Sequence, residues 1–268
     1  MKEIIHFAHG NGFPSPCYKQ FLQRLEKEFA VYYIDRVGHD PNYPVTENWH
    51  CLVDEVIASV EGLSTTPVHG VGHSLGGVLT LMAAIEKPEL FKTVVMIDSP
   101  LLSRFKSTMV KLAKKFGFID RVTPAGKTKG RQHHWHSREQ LWSYLKTRPL
   151  FKSFRDDCLQ DYIEYGFHQD EKGYSLRFNK HIEYHIFRTI PHHLPQYERQ
   201  IKIPTLMIYG DKSDVVGRFD IRYMRKHYHI HCLRMHGGHM LPMEHPEWLA
   251  DMITSVLSNN NELLSNNI

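Results

Sequence analysis

Val68-His69-Gly70-Val71-Gly72-His73-Ser74-Leu75-Gly76-Gly77 decides how this chain is read. The apolar run from Val68 to Val71 has the length and composition of a buried strand. After Ser74 an amphipathic helix runs to about Glu86, where Lys87-Pro88 stops it. Ser74 therefore sits on a sharp strand-to-helix turn, and glycines on both flanks relieve the crowding such a turn creates. A serine hydroxyl is a poor nucleophile unless it is exposed, positioned and deprotonated by a neighbour. The turn does the positioning. Leu75 then offers its backbone N–H at a helix N-terminus, where negative charge is stabilised. The same residues would also fit a glycine-rich helix start capped by serine, but the strand–turn–helix context favours the nucleophile.

Outward from this motif, short apolar runs alternate with amphipathic stretches over the first hundred residues, the rhythm of parallel strands with crossover helices. Ile4 to Ala8 reads as a strand, followed by a helix from about Tyr18 to Phe29. Val31 to Ile34 is the next strand, then a helix from Trp49 to Glu61, and Thr93 to Ile97 is a fourth strand closed by Asp98-Ser99-Pro100. From Leu101 to about Gln200 the rhythm breaks, with helical patterns, many aromatics and no convincing strand. It resumes at Thr205 to Tyr209 and His229 to Met235, and ends in a helix from about Pro246. The expected organisation is an α/β core from residues 1–100 and 201–258, a helical insertion over 101–200, and a polar tail over 259–268.

Three further signals accompany Ser74. His9-Gly10-Asn11-Gly12-Phe13 follows the first strand, where a loop N–H can serve as second donor to an oxyanion. Asn11 is the choice, with Gly12 as the alternative. Gly237-Gly238-His239-Met240 follows the last strand, and a glycine-rich loop can carry an imidazole to a serine far away in sequence. That position singles out His239 among 20 histidines as the base. The acid that orients it has three candidates. Asp214 is preferred, in Gly210-Asp211-Lys212-Ser213-Asp214, while Asp211 and Asp98 remain open as residues that turn or cap a loop instead.

Together these motifs resemble the α/β-hydrolase superfamily, as does Asp35-Arg36-Val37-Gly38-His39, similar to that superfamily's Asp-x-x-Gly-His turn. The order Ser74, Asp214, His239 is the one such enzymes use. The resemblance covers nearly all of residues 4–256 and implies a mostly parallel sheet with an inserted helical cap. Because the chain starts at what would be the third strand of eight, about six strands are expected. The implied activity is hydrolysis of a carboxylic ester by Ser74, Asp214 and His239, with the oxyanion between the N–H groups of Leu75 and Asn11. C–C bond hydrolases, thioesterases and acyltransferases share these parts, and a catalytically silent binding protein is the rival outside the enzymes. An aromatic-rich cap favours an apolar ester.

Composition narrows the remaining choices. Hydrophobic residues make up 41% of the 268, enough for a core without metal or disulfide staples. Cys17, Cys51, Cys158 and Cys232 have no paired spacing, and no apolar run reaches the length of a membrane span. A reduced, cytoplasmic protein without cofactor, nucleic-acid partner or stable membrane insertion is expected; nothing sets its oligomeric state. His181 and His185 stand one helical turn apart, but no carboxylate or cysteine completes a recognisable ligand set, so no metal site is expected. Residues 104–131 carry Arg104, Lys106, Lys111, Lys114, Lys115, Arg121, Lys127, Lys129 and Arg131 against Asp120 alone, read as a solvated face. Phe105, Met109, Leu112 and Phe116 recur at helical spacing within it, read as a helix packed on the core in preference to a membrane-surface helix.

Overall fold

A computed structural model describes residues 2–258; the predicted tail over 259–268 lies outside the described residues. The chain opens with β1 (Ile4–Ala8), α1 (Lys19–Leu25), β2 (Ala30–Tyr33), α2 (His50–Glu61), β3 (Val68–His73), α3 (Leu75–Glu86) and β4 (Phe91–Ile97). An insertion follows, with α4 (Arg104–Lys115), α5 (Ile119–Val122), α6 (Ala125–Lys129), β5 (His134–Trp135), α7 (Arg138–Thr147), α8 (Asp156–Gly166), β6 (Phe167–Asp170), β7 (Gly173–Leu176) and α9 (Lys180–Arg188). The core resumes with β8 (Thr205–Gly210), α10 (Arg218–His227), β9 (His231–Met235), α11 (Leu241–Glu244) and α12 (Pro246–Ser258).

Six strands form one sheet in the order β2-β1-β3-β4-β8-β9, every neighbouring pair parallel. The inner strands are apolar on both faces because both faces are covered. Val95, Ile97, Leu206 and Ile208 pack with Phe21, Leu25, Leu249 and Ile253 on one side. Val94, Met96 and Met207 alternate with them and pack with Val53, Val56, Leu79 and Met82 on the other. Such a sheet gathers its strand ends at one edge, where loops distant in sequence meet. Helix α1 ends earlier than its pattern suggests. The Glu28 and Phe29 N–H groups both close onto the Leu25 carbonyl, and the turn sinks Phe29 into the core just before β2.

Two expectations for the insertion are corrected. It holds a small antiparallel sheet, β5-β7-β6, where no strand was expected. These strands are two to four residues long, and β6 buries Phe167 while His168, Gln169 and Asp170 are exposed, so their periodicity is too short to read. Its turn depends on Gly173, at φ +123°, where a Cβ would lie 2.2 Å from the Trp135 carbonyl oxygen. Helix α4, in turn, does not pack its apolar stripe on the core. It buries Ser107 and Ala113 instead, small residues that let the helix approach closely, and leaves the stripe in solvent. Ion pairs hold it in that orientation: Arg104 with Glu198, Lys106 with Asp220, and Lys114 with Glu47.

Among the described residues no helix is long and apolar enough to cross a membrane, and no three His, Cys, Asp or Glu side chains are grouped to hold a metal ion.

Candidate active site

The turn after β3 is strained. Ser74 has φ 51° and ψ −115°, a combination rare outside glycine, and it is half-buried, its hydroxyl without a hydrogen bond among the described residues. The two glycines that follow are required by close approach. A Cβ on Gly76 would lie 2.0 Å from the Ala8 carbonyl oxygen, and the Gly76 N–H donates to the His9 carbonyl at 3.1 Å. A Cβ on Gly77 would lie 2.0 Å from Ser99 Oγ. The motif thus seats the Ser74 turn directly between the end of β1 and the end of β4.

His239 is brought to this turn from the far end of the chain. Its neighbour contact is His73, whose Nε2–H donates to the His239 carbonyl at 3.0 Å, with the two rings 5.0 Å apart. A carbonyl can only accept, so His73 carries its proton on Nε2, and its Nδ1 accepts the Tyr18 hydroxyl proton at 2.8 Å. The Tyr18 oxygen in turn accepts the Gly10 N–H at 3.0 Å. Burial, and then the adjacent His239, hold the His73 imidazole well below the usual histidine range, so it stays neutral. This buried chain ties the β1 loop to the His239 loop through the residue that precedes Ser74. Ser74 and His239 themselves are not hydrogen-bonded to each other.

The acid is where the sequence reading needs correction. His239 Nδ1 donates to Asp98 Oδ2 at 2.7 Å, and neither Asp214 nor Asp211 reaches the ring. Asp98 is fully buried, in a left-handed conformation at φ 43° that aspartate tolerates. Its carboxylate also accepts the Gly210 N–H at 2.9 Å and the Ser213 hydroxyl at 2.6 Å. Asp214 is exposed and makes no hydrogen bond or ion pair among the described residues. The cause is its neighbour. Ser213 Oγ points inward to Asp98 and accepts from the Val215 and Val216 N–H groups, which turns Asp214 outward. Asp211 serves the loop, accepting the Gly237 N–H at 3.2 Å and pairing with His236.

On the opposite side, the Gly10 and Phe13 N–H groups are used inside the β1 loop, whereas those of Asn11, Gly12 and Leu75 meet no acceptor among the described residues. The Asn11 amide donates to the Glu183 carbonyl on α9 at 3.0 Å. Glu183 is buried and paired with Arg131, whose guanidinium also reaches the Tyr162 hydroxyl at 3.0 Å. His9 anchors the Asp35–His39 turn: its Nε2 accepts the Val37 N–H at 2.8 Å while its Nδ1 bonds to the Gly10 carbonyl. Burial lowers the His9 pKa to about 4. The Phe13 ring then lies tilted, 4.8 Å from that of Tyr162, against the aromatic cluster of the insertion.

The sequence profile of the alpha/beta hydrolase family matches residues 7–252. The chain belongs to the α/β-hydrolase family. Within this family it is 28% identical to an uncharacterized hydrolase of Bacillus subtilis, YugF, over 219 residues, which cover 77% of this chain and 71% of that one. It is 31% identical to human monoglyceride lipase over 109 residues, 38% of this chain and 36% of the lipase. The crystal structure of E-2-(acetamidomethylene)succinate hydrolase superposes with a TM-score of 0.78 at 21% identity, covering 96% of this chain and 92% of that one, a likeness of fold.

His73, Tyr18, Ser213, Glu183 and Arg131 had not been singled out as site residues from the sequence. His73 stands inside the motif around Ser74, and that position was a usable signal. Tyr18 and Glu183 reach the site only through the fold, and no local pattern marks them.

Proposed function

We propose that this α/β-hydrolase cleaves a carboxylic ester through an acyl-enzyme on Ser74. The observation that carries the reading is the pairing of a strained Ser74 turn with an imidazole whose Nδ1–H is held by a fully buried carboxylate. Because Nδ1 donates to Asp98, the Nε2 lone pair of His239 is left to take a proton. His239 removes the Ser74 hydroxyl proton as Oγ attacks the ester carbonyl, and Asp98 stabilises the imidazolium that forms. The N–H groups of Leu75 and Asn11, with Gly12 as the alternative partner, receive the oxyanion. The leaving alcohol takes the proton from Nε2, and water then attacks the acyl-enzyme with His239 as base. Partial similarity to monoglyceride lipases supports an ester with an apolar acyl part.

A fluorophosphonate probe tests the nucleophile: it should label wild-type protein and leave Ser74→Ala unlabelled. The same variant should lose roughly 10⁴- to 10⁶-fold in kcat with its fold intact. Retention of a tenth of the wild-type esterase activity would end the assignment. Rates on p-nitrophenyl esters from acetate to palmitate then set the acyl preference. Labelling of Ser74 with no ester turnover would direct the search to thioesters, C–C bonds or acyl transfer.

A further inference from the structure

Helix α4 and its C-cap residue Phe116 present four large apolar side chains to water. Phe105 is 75% exposed, Phe116 67%, Met109 46% and Leu112 39%. They recur at i, i+4, i+7 and i+11, so they form one continuous stripe along the helix. A single exposed apolar residue needs no explanation, but a stripe over three turns does. The stripe is not a packing accident, because the helix has a separate buried face built on Ser107 and Ala113.

The charges around the stripe divide into two sets. Arg104, Lys106, Lys114 and Arg131 are each paired with an acid from another part of the chain. Lys111 and Lys115, on α4, and Arg121, Lys127 and Lys129, just beyond it, have no carboxylate partner among the described residues. Lys115 instead lies 5.7 Å from the centre of the Phe116 ring. Lys115 thus flanks the apolar stripe at Phe116, and Lys111 stands one helical turn before it on the same side of α4, while Arg104, Lys106 and Lys114 fasten the helix to the body. The first turn of α10 is fastened to α4 as well, through Lys106 and Asp220, and there Phe219 is 87% exposed beside Arg218.

We propose that α4 is a docking face for an anionic lipid bilayer, lying in the interface with its phenylalanines in the acyl boundary and Lys111 and Lys115 at the headgroups. A short helix of this pattern lies on a membrane and does not span it. Long lysine stems run along the apolar surface and carry their ammonium groups to the phosphates. Charge complementarity selects this occupant over a second copy of the chain, since a symmetric contact through α4 would bring together two faces whose unpaired charges, Lys111 and Lys115, are all positive. The inference is independent of the ester reading. It would deliver the protein to a surface whatever bond Ser74 attacks.

Co-sedimentation with phosphatidylcholine vesicles, with and without about 30% phosphatidylglycerol, tests it. The full chain should bind the anionic vesicles at least tenfold more tightly, and roughly 0.5 M salt should remove most of that preference. Lys111→Gln with Lys115→Gln should weaken binding to anionic vesicles by roughly 20-fold. Phe105→Ala with Phe116→Ala should weaken it at least about tenfold, at an unchanged Tm. Turnover of a soluble short-chain ester should be the same in all variants, since none touches the Ser74 site. Failure to bind anionic vesicles, or unchanged binding by both double variants, overturns the proposal. So does a dimer in sedimentation velocity that the phenylalanine variant abolishes, which would make α4 a self-contact. Loss of soluble-ester turnover in either variant would assign α4 to the substrate pocket instead.

Discussion

Two neighbouring strands of the central sheet each deliver an aspartate at their carboxyl ends, and the two residues have opposite environments. After β4, Asp98 is fully buried and accepts from His239, Ser213 and the Gly210 N–H. After β8, Asp214 stands in solvent with no partner among the described residues. A buried carboxylate is costly unless its lone pairs are satisfied, and three donors, one of them an imidazole, meet that requirement at Asp98. Nothing comparable surrounds Asp214. The β8 loop still takes part, because Ser213 reaches across to the Asp98 carboxylate. The loop whose aspartate holds the imidazole and the loop that supports that aspartate are different loops. Their sequences alone do not say which is which.

The comparison breaks most visibly through the acid itself. Asp98→Asn should lower kcat by roughly 10³- to 10⁴-fold with little change in KM, because an amide favours the wrong imidazole tautomer and cannot balance its charge. Steady-state kinetics on a chromogenic ester, with circular dichroism to check the fold, measures this. A larger loss from Asp214→Asn than from Asp98→Asn would reverse the assignment. Ser213→Ala is the next step down. It removes one charge-assisted donor from Asp98 and the acceptor of the Val215 and Val216 N–H groups, so kcat should fall roughly tenfold.

A third carboxylate sharpens the contrast. Glu55 is buried like Asp98 but accepts from one donor, the Gly38 N–H at 2.7 Å. Burial outweighs that bond and pushes its pKa up to about 7. The folded protein therefore holds a proton that the unfolded chain has released. The resulting stability is full below the ordinary glutamate range and declines as pH rises to about 7. Thermal melts from pH 5 to 8 should show this fall, and Glu55→Gln should flatten it while keeping an acceptor for Gly38. A slope unchanged in the variant would place its origin elsewhere. The smallest effect belongs to the exposed residue: Asp214→Asn should leave both kcat and Tm within experimental scatter, as expected for a surface side chain without partners.

Much of the architecture was legible because buried parallel strands are apolar on both faces and end in glycine-bearing turns, as Val68–Gly77 shows. The Ser74 turn could be located residue by residue, since crowding at a strand-to-helix corner permits few residue types beside the serine. The small sheet of the insertion was not legible: strands of two to four residues have no measurable period, and β6 is polar except at Phe167. The exposure of the α4 stripe was not legible for a different reason. Its apolar period is strong, but period shows that a face exists and not what covers it.

Sequence by itself determined the family, the placement of Ser74 and the loop that carries His239, because each rests on local backbone demands that only certain residues meet. Tertiary structure alone decided which aspartate holds the imidazole, which side of α4 meets water, and how Tyr18 and His73 link the β1 loop to the His239 loop. Those outcomes depend on distances between segments as far apart as Asp98 and His239, and on which side chain of an adjacent pair, Ser213 or Asp214, turns inward. Spacing along a chain carries no information about either.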